Sequence, residues 1–170
     1  SVGEILHDHM DVFVVSECSG SYSFDRYKPW VMSAWAGLQF ALFGTGILAS
    51  NICDGGGFWY AGEDPASGDA PDIQFHFLPG SGLEHGLAPI RNGVTLNSAY
   101  LRPKSRGCVR LISSDPKAPV HIDPGYWSDP HDVTRSIAGV RLARRILALE
   151  AYDTWIRGEA RHGANAKGDG

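Results

Sequence analysis

Residues 71–80, PDIQFHFLPG, and residues 93–101, GVTLNSAYL, alternate apolar and polar side chains along the chain. Successive side chains of a β-strand point to opposite faces of a sheet. The apolar members therefore share one face: Ile73, Phe75, Phe77, Val94, Leu96 and Tyr100. The polar members share the other: Gln74, His76, Thr95 and Asn97. Two strands of this kind predict an antiparallel sheet that is covered by helices on one side only.

Two segments have the pattern of helices. Residues 29–44, PWVMSAWAGLQFALFG, begin with a proline, which suits a first turn, and stop at a glycine. We expect this helix to be buried or half-buried along an apolar stripe: Val31, Trp35, Leu38 and Leu42. In residues 130–148, Asp129 can cap the helix and Pro130 fits its first turn. The apolar stripe expected for this second helix is Val133, Ile137, Val140 and Leu147.

Further strands complete the predicted fold. Residues 11–18, DVFVVSEC, are rich in β-branched and aromatic side chains and predict a strand. GCVRLIS, after a tight turn at 105–107, is predicted to be the hairpin partner of the 93–101 strand. The fold class expected is α+β, an antiparallel sheet of about five to six strands with both helices packed on one face. Residues 1–157 would form one domain, and residues 158–170 a flexible carboxyl-terminal tail.

Composition excludes several classes of function. The chain of 170 residues has room for one core, and its net charge of -4 would not attract it to a nucleic acid or to anionic lipid. No apolar run is long enough to span a membrane, so the expected location is the cytoplasm. The three cysteines are far apart in sequence and odd in number, which favours reduced thiols over a disulfide framework or a zinc pattern. His7 and His9 lack a third ligand, so no metal site is expected.

The segment 101–132 carries three basic residues around a turn and three Asp-Pro pairs. The basic residues, Arg102, Lys104 and Arg106, are expected to be a solvated turn rather than a phosphate site. Each Asp-Pro pair offers a short acceptor followed by a fixed φ, which suits a turn or a helix start better than catalysis.

These residues also resemble a known family. SRGCVRLISSDPKAPVHIDPGYWSDPHD, residues 105–132, is similar to a conserved block of the glucose-methanol-choline (GMC) family of FAD-dependent alcohol oxidoreductases. VGEILHDHM at the start resembles the family segment VGENLQDH, and departs from it at Ile5 and His7. WAGLQFALFGTGILASN and PDIQFHFLP also match, so the similarity runs over roughly residues 2–160. The choline and alcohol dehydrogenase-like members are the most similar.

The resemblance implies a part of a larger enzyme. In this family a dinucleotide-binding domain with a Gly-rich turn holds FAD, and a histidine with a second histidine or an asparagine near the carboxyl end does the acid-base work. This chain contains no G-x-G-x-x-G and no late histidine-proline motif. We therefore expect the substrate-binding portion of an enzyme acting on CH-OH donors, with no catalytic residue and no bound FAD in this chain. The alternative is a non-catalytic, stand-alone ligand-binding or interaction domain derived from that family.

The resemblance also implies which residues would meet a small alcohol substrate. The polar face of the sheet would form the roof of the cavity, with Gln74, His76, Thr95 and Asn97 lining it. Asp54 falls where choline-oxidising relatives often have a glutamate against the cationic head of the substrate. His85, in LEHGLAP, resembles a cavity histidine of those relatives.

The glycine triplet 55–57 stands beside aromatic residues. It predicts either a close approach to the backbone or a flexible turn between strands. Without a flavin domain, Phe58 and Trp59 next to the triplet would be exposed. Exposed apolar patches mark interfaces, so a homodimer through the 54–60 and 74–85 surface is expected.

Overall fold

The structure is a computed structural model that describes residues 3–62, 70–81, 90 and 92–160. This part of the chain contains seven β-strands and two α-helices. The strands are β1 Asp11–Cys18, β2 Gly55–Trp59, β3 Ile73–Leu78, β4 Gly93–Tyr100, β5 Cys108–Arg110, β6 His121–Asp123 and β7 Ile156–Glu159. The helices are α1 Trp30–Phe43 and α2 Pro130–Leu147.

Five strands form one antiparallel sheet in the order β2-β3-β4-β1-β7. This confirms the α+β class and the antiparallel sheet. In the β3–β4 pair, Ile73 lies opposite Tyr100 and Phe77 opposite Leu96, so the predicted apolar faces of the two strands coincide. A core cluster forms on that face: Val14, Ile73, Phe75, Leu96, Tyr100, Ala143 and Leu147. Burial of these apolar side chains is the main contribution that stabilises the sheet against α2.

Helix α2 packs on the apolar face of the sheet. As predicted, Asp129 caps it, because its carboxylate accepts a hydrogen bond of 2.8 Å from the His131 backbone N–H. The predicted stripe is wrong in part, since Val133 is 37% exposed. The buried face instead consists mainly of small or polar residues: Asp132, Ser136, Gly139, Ala143 and Leu147. A Cβ at Gly139 would overlap Ser98 Oγ and lie 3.1 Å from Ile73 Cδ1. The helix therefore approaches the strands at a distance that a larger side chain would prevent.

Helix α1 has the predicted bounds but not the predicted burial. Gly44 ends it in a left-handed conformation with φ 63, which glycine adopts without strain. Its main contacts are with two 3₁₀ turns, Phe24–Tyr27 and Ile47–Ala49. The stripe expected to be buried is exposed by half or more: Val31, Trp35, Leu38 and Leu42. An apolar pattern fixes which residues share a face of a helix, but it does not supply the surface that covers them.

Strand β5 does not form the predicted hairpin with β4. Both edges of β4 are already paired, one with β3 and the other with β1, so no edge is left for β5. It pairs instead with β6 in a separate two-stranded ribbon, in which Cys108 lies opposite Asp123. The amino-terminal segment supports this ribbon, because Leu6 and Gly107 exchange two backbone hydrogen bonds of 2.9 Å.

Strand β7 adds the last edge of the main sheet beside β1. It includes Gly158 and Glu159, the first residues of the stretch predicted to be a tail. Arg144 of α2 holds the strand through two hydrogen bonds of 2.9 Å to the Glu159 carboxylate. Residues 161–170 lie outside the described residues.

Candidate functional site

The predicted polar residues come together on the sheet face opposite α2. In the register of the strands, Phe58 lies opposite Gln74 and His76 lies opposite Asn97. Thr95 belongs to the same face of β4, two residues before Asn97. We call this group the polar face: Phe58, Gln74, His76, Thr95 and Asn97.

The polar face is open at one end and closed at the other. Thr95 is fully buried, and its hydroxyl donates a hydrogen bond of 2.7 Å to Gly80 O. His76 and Gln74 are half-buried, whereas Phe58 is 57% exposed. A small molecule could therefore contact Phe58, Gln74 and His76, while Thr95 is occupied by the fold and is not accessible. Sequence alternation placed Thr95 on the right face but could not show that it is covered.

Asn97 joins three strands of the sheet. Its Oδ1 accepts a hydrogen bond of 2.9 Å from the His76 backbone N–H, and its Nδ2 donates one of 2.9 Å to Asp11 Oδ2. Because Asn97 is buried and bonds to both neighbouring strands, it holds β3, β4 and β1 in register rather than offering groups to a ligand. The second carboxylate oxygen of Asp11, Oδ1, is buried and has no hydrogen-bond partner among the described residues.

The glycine triplet lies on the strand next to His76. It forms the first three residues of β2, an edge strand that is exposed throughout, rather than a turn between strands. Gly56 lies opposite His76. A Cβ at Gly56 would overlap Phe75 O, so the close approach anticipated at the triplet is that of the neighbouring strand.

One predicted site residue, Asp54, lies outside the polar face. Asp54 precedes β2 and is exposed, and its Oδ1 accepts a hydrogen bond of 2.8 Å from the Ser50 hydroxyl. That bond occupies one oxygen and leaves the other accessible. His85 lies outside the described residues, so its position relative to the polar face stays a prediction.

A buried carboxylate that the sequence did not indicate fastens the closed end of the face. Asp25 is 7% exposed and accepts hydrogen bonds from the backbone N–H groups of Ser81 and Gly93, at 3.0 and 2.9 Å. The hydroxyls of Ser23 and Ser81 donate to it as well, and Lys28 Nζ lies 2.6 Å from Oδ1. Burial opposes ionisation, but the hydrogen bonds from Lys28 and Gly93 outweigh it and lower the pKa of Asp25. The only sequence signal is the short spacing of Asp25 and Lys28, which is too common to be informative.

The Asp-Pro aspartates act as the predicted turn formers. In each case the carboxylate accepts a hydrogen bond from the backbone N–H two residues later: Asp115 from Lys117, Asp123 from Gly125 and Asp129 from His131. The three basic residues before them are exposed, as predicted for a solvated turn: Arg102, Lys104 and Arg106.

The carboxylate of Asp132 in α2 holds the loop of basic residues, Arg102–Arg106, in place. Asp132 is 2% exposed and accepts hydrogen bonds of 2.9 and 2.8 Å from the backbone N–H groups of Lys104 and Ser105. Burial raises the pKa of Asp132, but the hydrogen bonds from Ser105 and Lys104 outweigh this and lower it. The segment is therefore built as scaffolding between β4 and α2.

The histidines near the amino terminus do not form a pair of ligands. His7 donates through Nε2 to Pro103 O at 3.1 Å, whereas His9 Nδ1 lies 3.9 Å from Asp11 Oδ1. No helix in the described part of the chain is long and apolar enough to cross a membrane.

Comparison with known proteins places this fold in context. Residues 103–170 match the family model described as GMC oxidoreductase. The chain is homologous to the GMC oxidoreductases. It is 36% identical to an oxygen-dependent choline dehydrogenase of Paraburkholderia xenovorans over 169 residues, 99% of this chain and 30% of that protein. It is 35% identical to an alcohol dehydrogenase [acceptor] of Pseudomonas putida over 147 residues, 85% of this chain and 26% of that protein.

A solved GMC structure has a similar fold. A formate oxidase of Aspergillus oryzae RIB40, solved in a study of FAD modification, superposes with a TM-score of 0.83 at 18% identity. The match covers 99% of this chain and 34% of the formate oxidase. The chain thus spans about a third or less of the length of the proteins it matches.

The glycine triplet does not fit the pyrophosphate of FAD. A dinucleotide cradle needs a glycine-rich turn between a parallel strand and the amino end of a helix. The triplet Gly55–Gly57 lies inside β2, which pairs antiparallel with the strand that follows it, β3. This arrangement lacks the helix amino end that holds a phosphate, so the triplet does not provide a pyrophosphate cradle.

Proposed function

We propose that this chain is the substrate-binding portion of an FAD-dependent alcohol or choline dehydrogenase-like oxidoreductase that acts on CH-OH donors. The observation that carries the proposal is the open end of the polar face. There an aromatic ring, an amide and an imidazole lie side by side at the edge of the sheet: Phe58, Gln74 and His76. The similarity to a choline dehydrogenase over almost the whole chain supports the same assignment.

Each of the three residues has a role suited to a small alcohol. The half-buried Gln74 and His76 can hydrogen-bond a hydroxyl, and the exposed ring of Phe58 can cover its apolar part. Phe58 can also contact a quaternary ammonium through its ring face. The free oxygen of Asp54 would add a negative charge for such a cation, since Ser50 binds only the other oxygen. FAD would be held by a part of the enzyme other than these residues.

The proposal is tested by titrating the isotope-labelled chain with choline and with ethanol and recording amide chemical shifts. We expect shifts at Gly56, Phe58, Gln74 and His76 for both ligands, because both carry a hydroxyl. His76→Ala should weaken both titrations, whereas the control His121→Ala, on the separate β5–β6 ribbon, should leave them unchanged. Asp54→Asn should weaken the response to choline only. Shifts that are scattered over α2, or that survive in the His76 variant, would refute the proposal.

We also propose that the isolated chain is colourless and self-associates. Gel filtration after incubation with FAD should leave no flavin spectrum, because the sequence has no G-x-G-x-x-G and the glycine triplet offers no pyrophosphate cradle. Phe58 and Trp59 are 57% and 51% exposed on an edge strand, an apolar surface that a second copy can cover as a two-fold dimer.

The cytoplasm is the proposed location, and the three free cysteines support a reducing compartment.

A further inference from the structure

The ribbon of β5 and β6 carries three side chains with metal-binding atoms on one face. Cys108 lies opposite Asp123, and His121 precedes Asp123 by two residues, so strand alternation directs all three to the same side. The Cys108 sulfur, an imidazole nitrogen of His121 and a carboxylate oxygen of Asp123 all lie within 4.8 Å of one another. We propose that these three residues bind a divalent transition metal, with Zn²⁺ as the preferred ion.

The chemistry of the three donors favours zinc. Thiolate and imidazole select zinc and its neighbours over Mg²⁺ and Ca²⁺, which prefer oxygen ligands. At tetrahedral angles and ordinary bond lengths, two ligand atoms of one zinc ion lie about 3.5 Å apart. Rotation of exposed side chains can close the remaining distance, and His121 and Asp123 are both exposed. Three protein ligands leave the fourth position to water or to a small ligand.

The three side chains are oriented for this role and are not committed elsewhere. The Gly125 backbone N–H donates to Asp123 Oδ1 at 3.0 Å, which holds the carboxylate and leaves its second oxygen for the metal. In the part of the chain that the structure describes, the Cys108 thiol and the His121 ring have no hydrogen bond or ion pair. The backbone is fixed as well, because Val109 N–H donates to Gly3 O at 2.7 Å on the outer edge of the ribbon.

One nearby charge opposes the metal. Arg110 lies opposite His121 on the same face of the ribbon. Its guanidinium lies 3.3 Å from Glu4 Oε2, so its positive charge is partly compensated. Removing that charge should strengthen metal binding by roughly threefold, the size of a Coulomb effect between exposed charges in water.

The test is a titration of the purified full chain with Co²⁺, followed by displacement with Zn²⁺. We expect one ion per chain and a sulfur-to-cobalt charge-transfer absorption that Zn²⁺ removes and Mg²⁺ does not. Cys108→Ser should abolish this absorption, and His121→Ala and Asp123→Asn should each weaken binding by about tenfold or more. Arg110→Gln should bind more tightly. The matched control is Cys53→Ser, which removes another accessible thiol and should change nothing.

A second measurement does not depend on the folding of any variant. In the wild-type chain, Zn²⁺ should shift the imidazole resonances of His121 and leave those of His131, which is bonded to the Tyr100 hydroxyl, in place. Absence of a charge-transfer band, its loss in the Cys53 variant, or a response of His131 with none at His121 would each overturn the proposal.

Discussion

Replacing Asp25 should be among the most costly single substitutions in the polar interior. Asp25→Ala leaves the backbone N–H groups of Ser81 and Gly93 buried without an acceptor. Each such donor costs about 1–3 kcal/mol. Lys28 is 57% exposed at its side chain and can return to water, so its share is small. We therefore expect a loss of about 3–5 kcal/mol in the free energy of unfolding, in the range for removing one partner of a buried pair.

Asp25→Asn removes the negative charge of the side chain but keeps an oxygen that can accept hydrogen bonds, so it measures the contribution of the charge alone. An amide oxygen in the place of Oδ2 can still accept from Ser81 and Gly93, while the amide N–H groups face Lys28. The expected loss is about 1–3 kcal/mol, the difference between charged and neutral hydrogen bonds at this site. Asp115→Ala is the matched control. The Asp115 carboxylate is exposed and accepts one hydrogen bond, from Lys117 N–H, so the loss should stay below about 1 kcal/mol.

The assay is urea unfolding followed by tryptophan fluorescence, with free energies from linear extrapolation. The expected order of loss is Asp25→Ala, then Asp25→Asn, then Asp115→Ala. If Asp25→Ala costs no more than the exposed control, Asp25 does not hold the end of the sheet and the reasoning fails.

Three further predictions follow from the packing, the exposed edge and the buried carboxylates. Gly139→Ala should lower the free energy of unfolding by about 1–3 kcal/mol through overpacking, and adding Ser98→Ala should recover most of that loss. A urea titration in which the double variant is no more stable than Gly139→Ala contradicts the close approach of α2 to β4. Sedimentation of the wild type should give a species larger than the monomer, which Phe58→Glu weakens and the control Leu111→Glu does not; a wild type that remains monomeric when concentrated contradicts the proposed dimer. The pKa values of Asp25 and Asp132 in the folded protein lie below the ordinary value of 3.8. The two carboxylates therefore stabilise the fold above that pH, and this contribution is lost as the pH falls through their folded-state pKa values. Urea unfolding midpoints that do not fall between pH 5 and about pH 3 would argue against this.

The elements of this fold were predictable wherever local pattern decides them. Strand alternation located β3 and β4 and assigned their faces, and Asp129 with Pro130 marked the start of α2. These signals depend on residues that are close in sequence, so the elements can be predicted without knowing how the rest of the chain packs.

Partners distant in sequence were not predictable from pattern. The pairing of β5 with β6 depends on whether both edges of β4 are occupied, and the exposure of Trp35 depends on what lies over α1. The buried face of α2 was misjudged because its close approach needs Gly139, which a search for large apolar residues passes over.

The candidate site shows the same division. The polar face could be identified from the period-two pattern, and the strand register then joined His76 to Asn97. Nothing in the sequence separated the accessible His76 from the buried Thr95. Their accessibility depends on the segment around Gly80, which bonds to Thr95 and is held in place by Asp25 through Ser81. The ligand-like trio on the ribbon was missed for a related reason: Cys108 and His121 meet only through the pairing of β5 with β6.

The interior position of β1 affects the order in which the sheet can form. β1 lies between β4 and β7, strands that are about 80 and 140 residues later in sequence. During synthesis the first strand leaves the ribosome long before either neighbour exists, so its backbone groups stay unpaired until Gly93–Tyr100 and then Ile156–Glu159 have emerged. Closing such long loops is slow, and unpaired strand edges are open to association with other chains. A chaperone that binds extended apolar segments would find a target in Asp11–Cys18 until Gly93–Tyr100 has emerged to pair with it.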